Sequence, residues 1–357
     1  MTSAVVLDGP GAFRLAPHTP RPPGHGEALV RVHAAGVCGS DREVYEGNRA
    51  PGYVRYPLTP GHEWSGTVEA VGEGVPGALV GRGTVGEGFR NCQVCARCHA
   101  GDTTLCTAGY DETGFTAPGA MAPTLTLPAR LLHVLPDGVD LTAAALLEPA
   151  ACVAAAVLKA EPRPGDRAAV VGAGTLAMLA LRLLSAASPA ELLSVGPHSE
   201  LADRAHKFGA THYRTESETQ GGTDSAGGAG GMGGEGTPGS GARVPYGDFD
   251  LVIEAGGSAT AARTSASLLR RGGRLVLTGL PAPGAHGLDP ATLVMRQTEV
   301  RTVFGAAPAA WAHAVRAFSA GLLDPLPLVT HELRLSEFPR AMELVGAPGV
   351  GKVLLRP

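Results

Sequence analysis

The sequence has no apolar stretch long enough to cross a bilayer; the run from residue 168 to 187 is broken by Gly172, Gly174 and Arg182. Its first residues, MTSAVVLDG, have neither the charged head nor the long apolar run of a secretory leader. An excess of either charge is also missing. Lys and Arg number 29 against 33 Asp and Glu, a net charge of −4, and there is no basic patch. Neither a nucleic-acid partner nor a membrane is therefore expected. A cytoplasmic location is expected, where thiols stay reduced and disulfides do not form. At 357 residues, 44% apolar and 17% charged, the chain suits a soluble protein of two domains. Arginine far outnumbers lysine and alanine is abundant, which reads as codon bias rather than function.

Four of the six cysteines lie within NCQVCARCHAGDTTLC, as C-x2-C-x2-C-x7-C on Cys92, Cys95, Cys98 and Cys106. A redox dithiol needs only two cysteines, and no Cys-Pro run marks an iron–sulfur cluster. Four closely spaced thiolates can surround one zinc tetrahedrally. Such a shell has no open position, so this lobe, about residues 90–107, is expected to hold structure together and do no chemistry. His99 is a poor competitor as a ligand when four cysteines are present.

A catalytic zinc needs about three protein ligands and one exchangeable position. Candidates lie in GVCGSD (Gly36 to Asp41), PGHEWSG (Pro60 to Gly66) and LLEPAAC (Leu146 to Cys152). Cys38 follows the alternating segment ALVRVHAAGV and so falls at a strand's end. His62 falls in a turn marked by Pro60 and Gly61. Glu148 and Cys152 are four apart and can share a helix face, with Pro149 suited to the first turn. Each residue alone is more often packed than functional. Charge does not separate Glu148 from Cys152 as third ligand, since thiolate and carboxylate each contribute one negative charge.

GVCGSD, GHE, the four-cysteine lobe, LLEP and GAGTLA, in this order and ending in GKVLLRP, resemble the zinc-dependent medium-chain alcohol dehydrogenases over nearly the whole chain. The pattern is closest to the polyol or sorbitol-type members and to aminocyclitol (scyllo-inosamine-type) dehydrogenases. The resemblance implies Cys38 and His62 as zinc ligands, Glu63 as a carboxylate able to approach the metal, and Glu148 as third ligand, direct or through water. It places Cys152 on the pocket wall, facing the nicotinamide. Asp41 is expected to fix the ring of His62. Ser40 stands where the family keeps a hydroxyl that passes the substrate proton outward. Many members continue that relay with a histidine five residues after the zinc cysteine, and here the residue is Glu43.

The segment RAAVV (Arg167 to Val171) reads as a buried strand, followed by Gly172-Ala-Gly174-Thr175-Leu176-Ala177 and an apolar helix. Gly172 permits the tight turn, Gly174 lets backbone approach a pyrophosphate, and Ala177 sits where helix packs closely on strand. By resemblance Leu176 backs the nicotinamide, with Gly279 and Leu280 at its edge. NAD-specific members usually carry an acid where Gly196 stands. Its absence, with His198 or Arg204 available to pair with a 2′-phosphate, favours NADP over NAD.

A glycine-rich stretch, about residues 215–243, is expected to be a disordered loop without a catalytic role. The expected fold is α/β: a GroES-like, mostly β catalytic domain over residues 1–150, a Rossmann doubly wound parallel sheet over 151–290, and a return to the catalytic domain over 291–357. Two zinc ions per chain are expected, one catalytic and one structural. The function implied is hydride transfer between NAD(P) and a secondary alcohol (polyol, cyclitol or sugar-like) or its ketone. Trp64 and Phe115 are candidates for the pocket, though core packing suits either. The alternatives are a simple alcohol or aldehyde reductase of the same family and, in another class, a non-catalytic dinucleotide-binding regulator. By resemblance the assembly is a homodimer or homotetramer.

Overall fold

A computed structural model describes residues 2–220, 247–281 and 284–357; most of the expected glycine-rich loop lies outside them. Its first residues, Glu216–Gln220, form a short helix. The chain divides into two compact units, residues 1–155 with 304–357, and residues 156–303.

In the first unit β1 (Ser3–Gly9) and β2 (Ala12–Pro17) form a separate antiparallel ribbon. The main sheet is built on β3 (Glu27–Val37), whose middle alternates buried Val30 and Val32 with exposed Arg31 and His33. That two-residue period is what a half-buried strand requires. β4 (Glu63–Val71), β5 (Gly83–Gly86), β6 (Thr124–Pro128) and β7 (Leu132–Val134) follow. β4 and β6 pair antiparallel with β3, β5 with β4, and β7 with β5.

The second unit holds β8 (Arg167–Val171), β9 (Glu191–Gly196), β10 (His212–Thr215), β11 (Phe249–Glu254), β12 (Leu269–Leu277) and β13 (Glu299–Thr302). They form one parallel sheet in the order β10-β9-β8-β11-β12-β13. Strands buried on both faces read as continuous apolar runs, which is why RAAVV and FDLVIE do not alternate. The chain leaves this unit after Val303 rather than near residue 290, because β13 closes the sheet's edge. β14 (Val329–Arg334) and β15 (Lys352–Arg356) then complete the first sheet, with β15 antiparallel to β3.

Each unit has its own core. Val30, Val32, Trp64, Met121, Leu127, Phe338 and Leu355 pack together in the first, and Val171, Leu193, Phe249, Val252 and Leu275 in the second. Trp64, 1% exposed, is a core residue, and its indole lies so close to Gly86 that a Cβ there would come within 2.7 Å of the ring. Replacing Trp64 with alanine is expected to cost about 3–5 kcal/mol of stability. Urea denaturation measures this; a loss below about 1 kcal/mol would place the ring outside the core.

Candidate metal and active site

The register of three neighbouring strands assembles the first site. Across β3 and β4, Gly36 faces Glu63; across β3 and β15, Val37 faces Val353. Cys38 leaves the end of β3, His62 immediately precedes β4, and Lys352 begins β15. The ligand atoms of Cys38, His62 and Glu63 lie within 4.8 Å of one another. A Cβ on Gly36 would come within 2.3 Å of Glu63 Oε2, so glycine is what leaves room for that carboxylate.

Lys352 is the residue that sequence reasoning missed. It is one of only three lysines in the chain, and its side chain is 5% exposed. Its Nζ donates to both oxygens of Glu63, at 2.8 and 2.7 Å, and to the carbonyl of Val37 at 3.3 Å. The sequence signal was present: a single lysine opening the apolar run VLL of the terminal strand. Glu63 is thus engaged by a cation on both oxygens.

Glu148 has the opposite character. It sits in the first turn of helix Leu147–Ala160, beside Cys152 as the i, i+4 spacing implied. The thiol of Cys152 donates to Glu148 Oε1 at 3.4 Å, a weak bond. Burial pushes the Glu148 carboxyl up to about 7, against the pull of nearby His62. Burial, and then the Glu148 carboxylate, likewise raise Cys152, which keeps it a thiol donor. Glu148 falls outside the 4.8 Å group, which contains Glu63 in its place.

Helix Gly39–Glu46 positions the rest. The Cys38 N–H donates to Asp41 Oδ2 at 2.9 Å, fixing the first turn to the strand end. Asp41 Oδ1 lies 3.5 Å from His62 Nδ1. That is too long for a good hydrogen bond, and both atoms are buried without another partner. Ser40 Oγ lies 3.4 Å from His62 Nε2. Burial disfavours a charged His62, yet Asp41, Cys38 and Glu148 more than offset this and raise it well above an ordinary histidine. The donor set of a thiol, an imidazole and carboxylates suits a zinc ion. Phe115 packs on the His62 ring with centroids 4.7 Å apart. Glu43 accepts from Arg49 at 3.2 Å, so its carboxylate is held by a guanidinium.

The second cluster comprises Cys92, Cys95, Cys98 and Cys106. All four cysteines are free thiols, and Cys92 and Cys98 sulfurs are 3.9 Å apart. Tetrahedral zinc with ~2.3 Å bonds separates its sulfurs by ~3.8 Å, so the spacing fits that ion. Backbone N–H groups of Cys92 and Cys98 donate to the sulfurs of Cys106 and Cys95, as thiolate ligands require. Donation from Thr107 and Cys98 lowers Cys95 to about 5. His99 is exposed and outside the cluster.

In the second unit strand order reverses between β8 and β11, and ligands of such sheets bind at the carboxyl ends flanking that point. Gly172, at φ 136°, ends β8; a Cβ there would come within 2.8 Å of the Ala255 carbonyl carbon. Gly174 caps helix Thr175–Ser185 with open space around it and no side-chain cap, leaving backbone N–H groups for a pyrophosphate. Thr175 and Leu176 are half-buried, and Ala177 is fully buried as close helix–strand packing requires. The Glu254 carboxylate accepts from the N–H groups of Gly256, Gly257 and Gly279, tying the loops after β11 and β12 together. Leu280 beside them is 66% exposed. Gly196 ends β9, and a Cβ there would come within 2.4 Å of the Tyr213 hydroxyl. That hydroxyl donates to the carbonyl of exposed His198. Arg204 donates to the Ala173 carbonyl at 2.9 Å.

Known proteins share these features. Residues 24–137 match the alcohol dehydrogenase GroES-like domain, and residues 172–320 match the zinc-binding dehydrogenase domain. Sorbitol dehydrogenase of Halalkalibacterium halodurans is 29% identical over 98% of this chain and 97% of its own. L-threonine 3-dehydrogenase of Bacillus subtilis is 28% identical over 93% and 91%. The structure of a zinc-binding dehydrogenase from Sinorhizobium meliloti with bound NADP is 26% identical. It covers 100% of this chain and 99% of that one, with a TM-score of 0.87. Fold and relationships together define an oxidoreductase that uses zinc and a nicotinamide cofactor. The chain belongs to the zinc-dependent medium-chain alcohol dehydrogenases, which act on CH–OH groups. Nothing in these relationships supports a non-catalytic regulator.

Removing Lys352 leaves a buried carboxylate unpaired, so Lys352→Met is expected to lose about 3–5 kcal/mol of stability. Lys352→Arg is expected to recover part of it. Equal stability of the methionine variant and the parent by chemical denaturation would show that Glu63 is neutral or solvated.

Proposed function

We propose that the chain interconverts a secondary alcohol of polyol or sugar-like type and its ketone. Zinc would be held by Cys38, His62 and Glu148, and a second, purely structural zinc by the four clustered cysteines. The carrying observation is the contrast between two buried carboxylates. Glu63 is engaged on both oxygens by Lys352, whereas Glu148 has a single weak donor, Cys152. The charged form of a buried carboxyl so poorly partnered is favoured by a cation beside it. Zinc bound there supplies a Lewis acid that makes a coordinated hydroxyl more acidic.

The protein's own groups then divide the remaining work. Asp41 orients His62 through Nδ1, leaving Nε2 for the metal. Ser40 Oγ, on the Nε2 side, accepts the substrate's hydroxyl proton in oxidation and returns it in reduction. Glu43 is paired with Arg49, so the proton passes from Ser40 to water rather than along a side-chain relay. The resemblance places Cys152 at the nicotinamide, and its neutral thiol suits that wall. Gly174 and the N-terminus of helix Thr175–Ser185 receive the pyrophosphate.

NADP is the favoured cofactor. Gly196 rather than an acid ends β9, the Tyr213 hydroxyl fills the space a side chain there would take, and His198 and Arg204 lie in the segment that follows. The related enzyme from S. meliloti was solved with NADP. Polyol-type substrates are supported by similarity to a sorbitol dehydrogenase. A homo-oligomer is supported by the outer edge of β13, which pairs with no further strand among the described residues, with Val294, Met295 and Val300 exposed. Six free thiols suit a reducing, cytoplasmic compartment.

The test is incubation with NAD or NADP and a panel of polyols, cyclitols and simple alcohols, following absorbance of the reduced nicotinamide. Secondary polyols with NADP are expected to react fastest. Glu148→Ala is expected to lower kcat at least about a hundredfold while keeping the sulfur-bound zinc by metal analysis. Full activity in that variant would remove Glu148 from the metal site.

A further inference from the structure

Arg49 lies just beyond helix Gly39–Glu46, and its side chain is only 10% exposed. A guanidinium taken that far out of water is costly unless its surroundings answer the charge. It donates to Glu43 Oε2 at 3.2 Å and to the Tyr110 hydroxyl at 3.3 Å. That hydroxyl in turn donates to the buried carboxyl of Glu112. Burial disfavours the charge of Arg49, yet Tyr110, Glu43 and Glu112 outweigh it and raise the group above an ordinary arginine. Its Nε is nevertheless buried without an acceptor. The further compensation is an aromatic face: the guanidinium carbon lies 4.4 Å from the Phe115 ring centroid, inside the ~6 Å reach of a cation–ring attraction.

These contacts lead to two proposed metal ligands. Glu43 belongs to helix Gly39–Glu46, whose N-cap residue is Cys38. Phe115 is buried and packs on the His62 ring with centroids 4.7 Å apart and planes tilted by 38°. The Glu112 carbonyl accepts from the Phe115 N–H at 3.2 Å, so the Tyr110–Glu112 contact also steadies the turn that carries this ring. By contrast, the two oxygen contacts of His62 are long, 3.5 Å to Asp41 and 3.4 Å to Ser40. The plane of the imidazole therefore rests on packing more than on hydrogen bonds. A metal ligand holds its geometry only when its neighbours lock its rotamer.

We propose that Arg49 is a positioning residue for the first metal site, bracing the helix of Cys38 through Glu43 and the ring of His62 through Phe115. The inference rests on the reading of Cys38 and His62 as metal ligands. It makes a prediction opposite in sign to that of simple electrostatics. Removing a nearby positive charge would strengthen the binding of a metal cation. Removing a brace weakens it.

The test is titration with Co²⁺ of protein whose sulfur cluster already holds zinc. Visible absorption of the cobalt reports its ligand geometry, and competition with a chelator reports its affinity. Arg49→Met is expected to weaken binding about tenfold and to alter the absorption band, and Phe115→Leu to weaken it about ten- to a hundredfold. Arg49→Lys, which keeps a cation for the ring and for Glu43, is expected to recover part of the loss. Tyr110→Phe is expected to act in the same direction, about two- to threefold. Because Arg49 works partly through Phe115, the double variant is expected to lose less than the product of the two single losses. Zinc retained by the sulfur cluster on metal analysis identifies variants that have folded. Equal or tighter Co²⁺ binding in folded Arg49→Met, or fully multiplicative losses in the double variant, would overturn this inference and leave the functional reading standing. If the parent protein takes up no Co²⁺ beyond the sulfur cluster, the metal-site reading fails and this inference fails with it.

Discussion

The ion pair between Lys352 and Glu63 lies at the end of the central strand β3, beside Cys38 and His62. Two charges there are almost completely removed from water, which costs several kcal/mol per ion unless geometry and hydrogen bonding are good. Both conditions are met by strand register: Gly36 vacates the space, Glu63 fills it, and β15 brings in the lysine from the far end of the chain. Cys38, Asp41, Glu63 and Glu148 concentrate acidic groups in one place, and the lysine answers one of them. Under the proposed reading, the lysine contact on both oxygens of Glu63 leaves Glu148 as the carboxylate for a metal.

The two metal clusters differ in what surrounds them. The sulfur cluster gathers four cysteines from one short loop and needs only local chain geometry. Thr103, Thr104 and Cys106 of the same loop also line a pocket bounded by Tyr53, Phe89, Tyr110 and Phe304.

In the parallel sheet the controlling constraint is close approach of backbones at the strand-order reversal. Gly172 and Gly279 both stand where a Cβ would collide with the opposing loop, at 2.8 Å from Ala255 and 2.3 Å from Gly257. Glu254, buried between those loops, converts the approach into three backbone hydrogen bonds. The glycine pattern is therefore partly about a neighbouring loop and partly about the dinucleotide. At Gly196 a third kind of reason applies, since the hydroxyl of Tyr213 from β10 already occupies the side-chain space.

Local chemistry written in consecutive residues was legible from the sequence. The sulfur cluster, the strand–glycine–helix turn, the position of Cys38 at a strand end and the Glu148–Cys152 helix face all depend on short spacings, which backbone periodicity fixes. Residues joined only by pairing of distant strands were not. Lys352 meets Glu63 across 289 positions, and Phe304 meets Tyr53 across a similar gap, and no spacing rule carries that information. The residues alone left Glu148 and Cys152 open as third ligand, and resemblance favoured the carboxylate. Among the described residues the structure groups Cys38 and His62 with Glu63 rather than Glu148, and it puts a lysine on Glu63 and one weak donor, Cys152, on Glu148. Short-range geometry belongs to the sequence because the chain's covalent repeat sets it, whereas burial and charge balance belong to the tertiary structure because they exist only once remote strands have excluded water between them.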